Sequence, residues 1–220
     1  MADRVVPGPV ENNARVREAV CIQTRKIFDS CRDKDCIEDL RIYPTVSSQA
    51  YIESALSVRP KSAELLYADV KVEEMSFNRG YYTVDVTYFY RITGETFPGG
   101  NPITGLSVFD KRVMLFGSEG SVKTFSSATP ALSVDPSSPI GVVETVDPIA
   151  LSMHIADAEC LQVSDLELRS IPEEILSGFG EELVLNDAAK RLYVTLGQFS
   201  IIRLERDTQL LIPAYDYCLP

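Results

Sequence analysis

Between Tyr81 and Tyr90 the chain alternates without a break. Tyr82, Val84, Val86, Tyr88 and Tyr90 fall on one side, and Tyr81, Thr83, Asp85, Thr87 and Phe89 on the other. A side-chain period of two is the signature of an extended strand, and a helix would scatter these residues around its axis. β-branched and aromatic residues dominate both sides, as in strands that pack on two faces. This segment predicts a long strand from Gly80 to Thr96, joined across Ser76–Gly80 to a second from Ser62 to Met75.

The rest of the chain reads the same way. A strand-length run begins near Val20 and continues through Ile22, Thr24, Lys26 and Phe28. A charged, cysteine-bearing stretch from Ser30 to Asp39 reads as a surface loop, and Leu40–Tyr43 as a strand stopped by Pro44. Ser47 or Ser48 is expected to cap a short helix through Ala55. Phe97–Pro102 is an exposed loop. Thr104–Phe116 and Ser121–Ser126 read as a hairpin across Gly117–Gly120. Residues 127–139 read as a loop, Ile140–Thr145 and Ile149–Ala156 as strands. Ile171–Gly178 carries proline at a helix start and glycine at its end. Arg191–Leu196 and Phe199–Ile212 read as a hairpin turning at Gly197–Gln198. Pro7, Gly8 and Pro9 break regular structure in a flexible N-terminal arm over residues 1–18. The expected fold is mainly β: an antiparallel β-sandwich, jelly-roll-like, with one or two short helices. It forms a β-rich domain over 19–220, and a division into two sub-domains near 127–140 is left open.

The residue inventory narrows the function classes. The chain has 220 residues, a net charge of −11, one histidine and no tryptophan. That charge opposes nucleic-acid binding, which needs a basic footprint, and it favours solubility before assembly. No run approaches the ~20 apolar residues of a membrane-spanning helix. The first residues have no apolar core of a secretory signal, so synthesis in the cytoplasm is expected, without membrane insertion.

Candidate chemistry centres on cysteine. Cys21, Cys31 and Cys36 lie within sixteen residues, and Cys218 lies two from the end. A zinc site would need His154 to join them from far away. A nucleophilic cysteine would need the same histidine as its base, and His154 sits in the apolar run Ile149–Ala156. Asp29, Asp33, Asp35, Glu38 and Asp39 lack the glycine of a calcium loop and are interrupted by Arg32 and Lys34. Glu73–Glu74 and Glu181–Glu182 are adjacent pairs, which point to opposite sides of a strand. Tyr81, Tyr82, Tyr88, Phe89 and Tyr90 could stack on sugars, but packing within the sandwich is the expected role. Cys160 reads as a buried thiol. No catalytic residue, metal ligand, cofactor or small-molecule substrate is expected, and the chain is not expected to be an enzyme. Cys21, Cys31, Cys36 and Cys218 are the candidates for disulfides within or between chains.

Four stretches, Arg17–Tyr43, Phe77–Asp85, Phe109–Gly120 and Gln209–Cys218, together resemble an uncharacterised family of β-rich, cysteine-containing proteins from spore-forming anaerobic bacteria. The resemblance implies synthesis in a bacterial mother cell and a final place on a spore surface or in an extracellular assembly. Disulfides would then close only after exposure to oxidising surroundings. The expected function is that of a self-assembling structural protein of a surface or spore layer or an extracellular filament. Its subunits would dock by β-edges and the N-terminal arm and be locked by disulfides. The partner is the chain itself, as homo-oligomer or polymer. The alternative is a β-sandwich binding module for carbohydrate or a protein partner, using exposed aromatics and loops.

Overall fold

A computed structural model describes residues 18–119, 138–157, 171–185 and 188–214. These form seven strands and two short helices: β1 (Glu18–Pro44), α1 (Val46–Ser54), β2 (Ser57–Glu74), β3 (Tyr81–Phe97), β4 (Pro102–Phe116), β5 (Ile140–Thr145), β6 (Ile149–Asp157), α2 (Glu173–Ser177) and β7 (Lys190–Ala214). Every pairing is antiparallel. The sheet order is β2-β3-β4-β1-β7-β5, with β6 also on β7. The mainly-β antiparallel expectation is met, as a sandwich nearly closed into a barrel.

Two layers are evident. β2, β3 and β4 form a meander, with β3–β4 in continuous register and β2–β3 shifted between Pro60 and Ser62 and between Leu65 and Tyr67. β1 and β7 run together from Glu18↔Ala214 to Ile42↔Leu192, and β5 and β6 share the far side of β7. The layers join through a short backbone ladder, Tyr43↔Leu106 and Pro44↔Gly105. On the other side, β5 approaches β2. Gly141 makes this possible, because a Cβ there would lie 2.7 Å from Val72 Cγ2 and 3.0 Å from Val70 Cγ1. The Leu65 amide donates to Asp147 across that side at 3.0 Å.

The alternation of β3 sorts its side chains as expected. Tyr82, Val84, Val86, Tyr88 and Tyr90 are buried between the layers with Ile92, Ile103, Leu115, Leu192, Val194, Leu196, Ile202 and Leu204. On the opposite side Phe89 joins Leu106, Ile175 and Leu183 in a second cluster, where the α2 segment covers the outer face of β3 and β4. Tyr81 stays exposed, edge-on to Phe116 at 5.4 Å.

Several boundary readings need correction. Ser30–Asp39 is no loop but the middle of β1, a strand of 27 residues. Its charges are compatible with a strand because they alternate. Arg32, Lys34 and Cys36 are exposed, while Cys31, Asp33 and Asp35 are half-buried and turn inward with Ile37. Gly197–Gln198 is no turn. Gly197 pairs with Cys36 and Ile149 inside β7, a single strand of 25 residues. Neighbours on both sides supply the pairing that a glycine lacks propensity for. Helix α1 is capped by Thr45, not by Ser47 or Ser48: its Oγ1 accepts from the Ser48 amide at 3.4 Å and meets Ser48 Oγ at 2.8 Å. Helix α2 starts after Pro172 and ends at Gly178, within the expected span. Glu18, read as the end of the arm, opens β1. The rest of that arm, the Ser121–Ser126 strand, most of the 127–139 loop, Cys160 and Cys218 lie outside the described residues.

Thr45→Ala should cost about 1 kcal/mol, the usual worth of an N-cap. In thermal denaturation this is a drop of about 3 °C for a chain of this size. An unchanged melting temperature would mean that the cap does not hold α1.

Candidate functional site

The three described cysteine candidates all lie on β1, opposite Leu211 (Cys21), Ile202 (Cys31) and Gly197 (Cys36) in β7. An extended chain rises about 3.3 Å per residue, so Cys31 and Cys36 stand about 17 Å apart and Cys21 about 33 Å from Cys31. A disulfide needs Cα atoms within about 7 Å. No pair of these three can close inside one molecule while β1 is formed, and all three are free thiols. Cys21 and Cys36 are exposed, whereas Cys31 is half-buried and packs against the core. Burial, followed by its hydrogen bond to Asp33 at 3.1 Å, raises the Cys31 pKa and keeps it a thiol. Exposed Cys21 and Cys36 are therefore the accessible nucleophiles of the strand.

Beyond the bulge between Ile27 and Asp29, β1 and β7 continue as a two-stranded ribbon, Glu18–Ile27 against Glu205–Ala214. At the strand rise this ribbon is about 33 Å long. Val20, Ile22, Leu210 and Ile212 make cross-strand apolar pairs on one face, with Cys21 beside Leu211 on the other. Leu211 is 72% exposed and Leu210 45%. Neither buried cluster includes a residue of the ribbon between 19 and 27 or between 206 and 213. Among the described residues a third strand reaches only its base, where Ile140 of β5 lies opposite Glu205, and none pairs with it from Arg206 to Ala214. A lone two-stranded ribbon is marginally stable in water, so this arm gains from any surface that covers it.

The β1–β4 seam carries the charged part of the site. Past the short ladder at Tyr43 and Pro44, side chains take over. The Lys111 ammonium on β4 donates to Asp33 at 2.7 Å and Asp35 at 2.5 Å, both on β1, and the Phe116 amide donates to Asp29 at 3.0 Å. Lys111 is 11% exposed. Burial works against its charge, but its hydrogen bonds to Asp33 and Asp35 outweigh this and hold its pKa above the ordinary lysine value. The Lys111 bond, then the Cys31 bond, hold the Asp33 carboxyl below the usual carboxylate range. Lys111 was not singled out from the sequence. Its signal was a cation at an inward position of β4, opposite Val86, where only a partnered charge is tolerated.

The other candidates disperse. His154 is exposed on β6, stacked on Tyr193 at 5.4 Å with Asp39 at 3.9 Å. It aligns with Tyr193, whereas Cys36 aligns with Gly197, about 13 Å further along β7, so no Cys–His pair forms. The acidic set splits: Asp33 and Asp35 bind Lys111, Asp29 binds the Phe116 amide, and Asp39 sits at a bulge with φ of 50°. Among the described residues no three of His, Cys, Asp and Glu come together as a metal site. Glu181 accepts from Ser47 Oγ at 2.7 Å, and Glu73 and Glu74 lie at the end of β2 opposite Thr83 and Tyr82. Tyr82, Tyr88, Tyr90 and Phe89 are buried, which removes them from any sugar platform. No helix among the described residues is long and apolar enough to cross a membrane.

No protein-family model, no curated protein and no solved structure matches this chain.

Proposed function

We propose that the chain is a self-assembling structural subunit, with copies docking through the β1–β7 ribbon and exposed strand edges and then locked by disulfides. The observation that carries this reading is the placement of Cys21 and Cys36. Both are exposed on a strand that forbids them from pairing with each other or with Cys31, so a bond among these three must join two molecules. The ribbon supports the same reading, since it projects apolar side chains that no described element covers. The N-terminal arm, which leads directly into β1, would add to the contact by strand addition. A place in a bacterial surface or spore layer, or in an extracellular filament, follows from the family resemblance and from the late oxidation that such a setting provides.

Purified protein held under mild oxidation is expected to give a ladder of covalent multimers on non-reducing gels and extended particles in negative-stain electron microscopy. Cys21→Ser with Cys36→Ser should shorten the ladder, and Cys31→Ser should leave it nearly unchanged. A monomer band without reductant and uniform small particles would sink the proposal and favour the binding module.

A further inference from the structure

Five buried side-chain oxygens have no protein hydrogen-bond partner: Tyr88 Oη, Tyr90 Oη, Ser107 Oγ, Gln198 Oε1 and Ser200 Oγ. Tyr88, Tyr90 and Ser107 are 0% exposed, Ser200 1% and Gln198 3%. They come from the inward faces of three strands: Tyr88 and Tyr90 from β3, Ser107 from β4, and Gln198 and Ser200 from β7, where the Gln198 amide nitrogen donates to the Phe199 carbonyl at 3.1 Å and to the Val146 carbonyl at 3.4 Å on the β5 side. Ser107 lies opposite Tyr90, Ser200 opposite Asp33, and Gln198 opposite Asp35. The Tyr88 and Tyr90 rings are parallel at 6.1 Å. Burial raises the pKa of both phenols, and Asp35 acts on each through space. Lys111 and Asp33 also act on Tyr88, and the Ser200 hydroxyl stands near enough to oppose the burial effect without closing a hydrogen bond.

Native interiors rarely leave such groups unmet, and five in one place call for a shared partner. The chemistry of that partner is constrained. A cation would meet the Lys111 ammonium, and an anion would meet Asp33 and Asp35. Hydroxyls both donate and accept, and the Gln198 oxygen only accepts, so the partner must be neutral and offer both functions. It must also be small, because none of the five residues is more than 3% exposed. We propose that the inner face of the β1–β4 seam is a hydration site, where ordered water bridges Tyr88, Tyr90, Ser107, Gln198 and Ser200 to the carboxylates of Asp33 and Asp35. Buried water of this kind typically makes about three hydrogen bonds each and is costly to remove. The seam is then held by a hydrated side-chain network where a backbone ladder would otherwise run.

The test uses the full chain. Nuclear Overhauser or rotating-frame cross-peaks between long-lived water and hydroxyl or ring protons of Tyr88 and Tyr90 are expected. Tyr90→Phe and Ser200→Ala should each lower the melting temperature by about 2–4 °C, the scale of one lost hydrogen bond in a chain of this size. An unchanged or higher melting temperature would overturn the proposal, because deleting an unmet polar group relieves its burial cost. Absence of water cross-peaks in the unmodified protein would overturn it too, whether or not either variant folds. A bound organic molecule found at the site by native mass spectrometry would replace water and likewise overturn it.

Discussion

Gly105→Val is expected to unfold the junction between the two layers. Gly105 pairs with Pro44 in the only backbone ladder that links β4 to β1 among the described residues. A Cβ at this position would lie 2.5 Å from Ile42 Cγ2, 2.7 Å from the Tyr43 carbonyl oxygen and 2.9 Å from Pro44 Cα. Two of these three are backbone atoms and cannot swing aside. Relief would require β1 and β4 to separate where Ile42 enters the core. Overpacking of this kind, with loss of ladder hydrogen bonds, costs about 4 kcal/mol. For a chain of this length that is a fall of about 10 °C in melting temperature, or insoluble expression. A valine variant with the parent's melting temperature would show that the layers are not joined at this corner.

The second large effect concerns Lys111. Lys111→Met keeps the stem's packing and removes the ammonium, leaving Asp33 and Asp35 facing each other at the half-buried seam. Breaking a fully buried pair costs about 3–5 kcal/mol, and the partial exposure of both carboxylates screens this to about 2 kcal/mol at neutral pH. Urea denaturation should show the midpoint fall with an unchanged slope. The pH dependence carries a further check. The Asp33 pKa is lowered in the folded state, so its contribution is present above the unfolded carboxylate pKa and is lost as pH falls through the lower folded value, below about pH 4. The Lys111 pKa is raised, so its contribution is present below the unfolded lysine pKa and is lost as pH rises through the higher folded value, above about pH 10. The methionine variant should lose both dependences together. Retention of the acid-side loss at full size would show that Lys111 is not the partner that matters to Asp33.

Much of the fold was legible because local pattern and tertiary packing agree. The β3 alternation sorts Tyr82 through Tyr90 inward with no exception, and Pro172 and Gly178 bracket α2 as such residues should. The failures fall where a long-range partner overrides local composition. Ser30–Asp39 reads as a loop because charge and cysteine crowd it, yet β7 pairs with it from Arg203 to Leu196, and Lys111 neutralises its inward carboxylates. Gly197–Gln198 reads as a turn, yet strands on both sides hold it extended. The cysteines were visible as a group in the sequence. That Cys21, Cys31 and Cys36 could not bond to one another within one molecule was not, because this depends on the extension of β1, which only its pairing with β7 secures. The orphaned hydroxyls behind the seam left no trace in the pattern either, since tyrosine and serine at inward positions look the same whether or not they find partners.

The position of β7 in the chain has a consequence for synthesis. It is the last described strand, and it alone pairs with three others, β1 on one side and β5 and β6 on the other. The β2–β3–β4 meander joins neighbours in sequence and can form as it leaves the ribosome. β1 emerges first, yet its ladder partner is made last, with Glu18 waiting for Ala214. Pairing at such separation is slow, and an early strand left without its neighbour is open to mispairing. Truncation anywhere before Lys190 would therefore release a half-built molecule with a lone strand bearing Cys21, Cys31 and Cys36, free to join another copy in the wrong register. Completion of β7 is therefore the step that gives β1 its native neighbour and takes Cys21, Cys31 and Cys36 out of a lone strand.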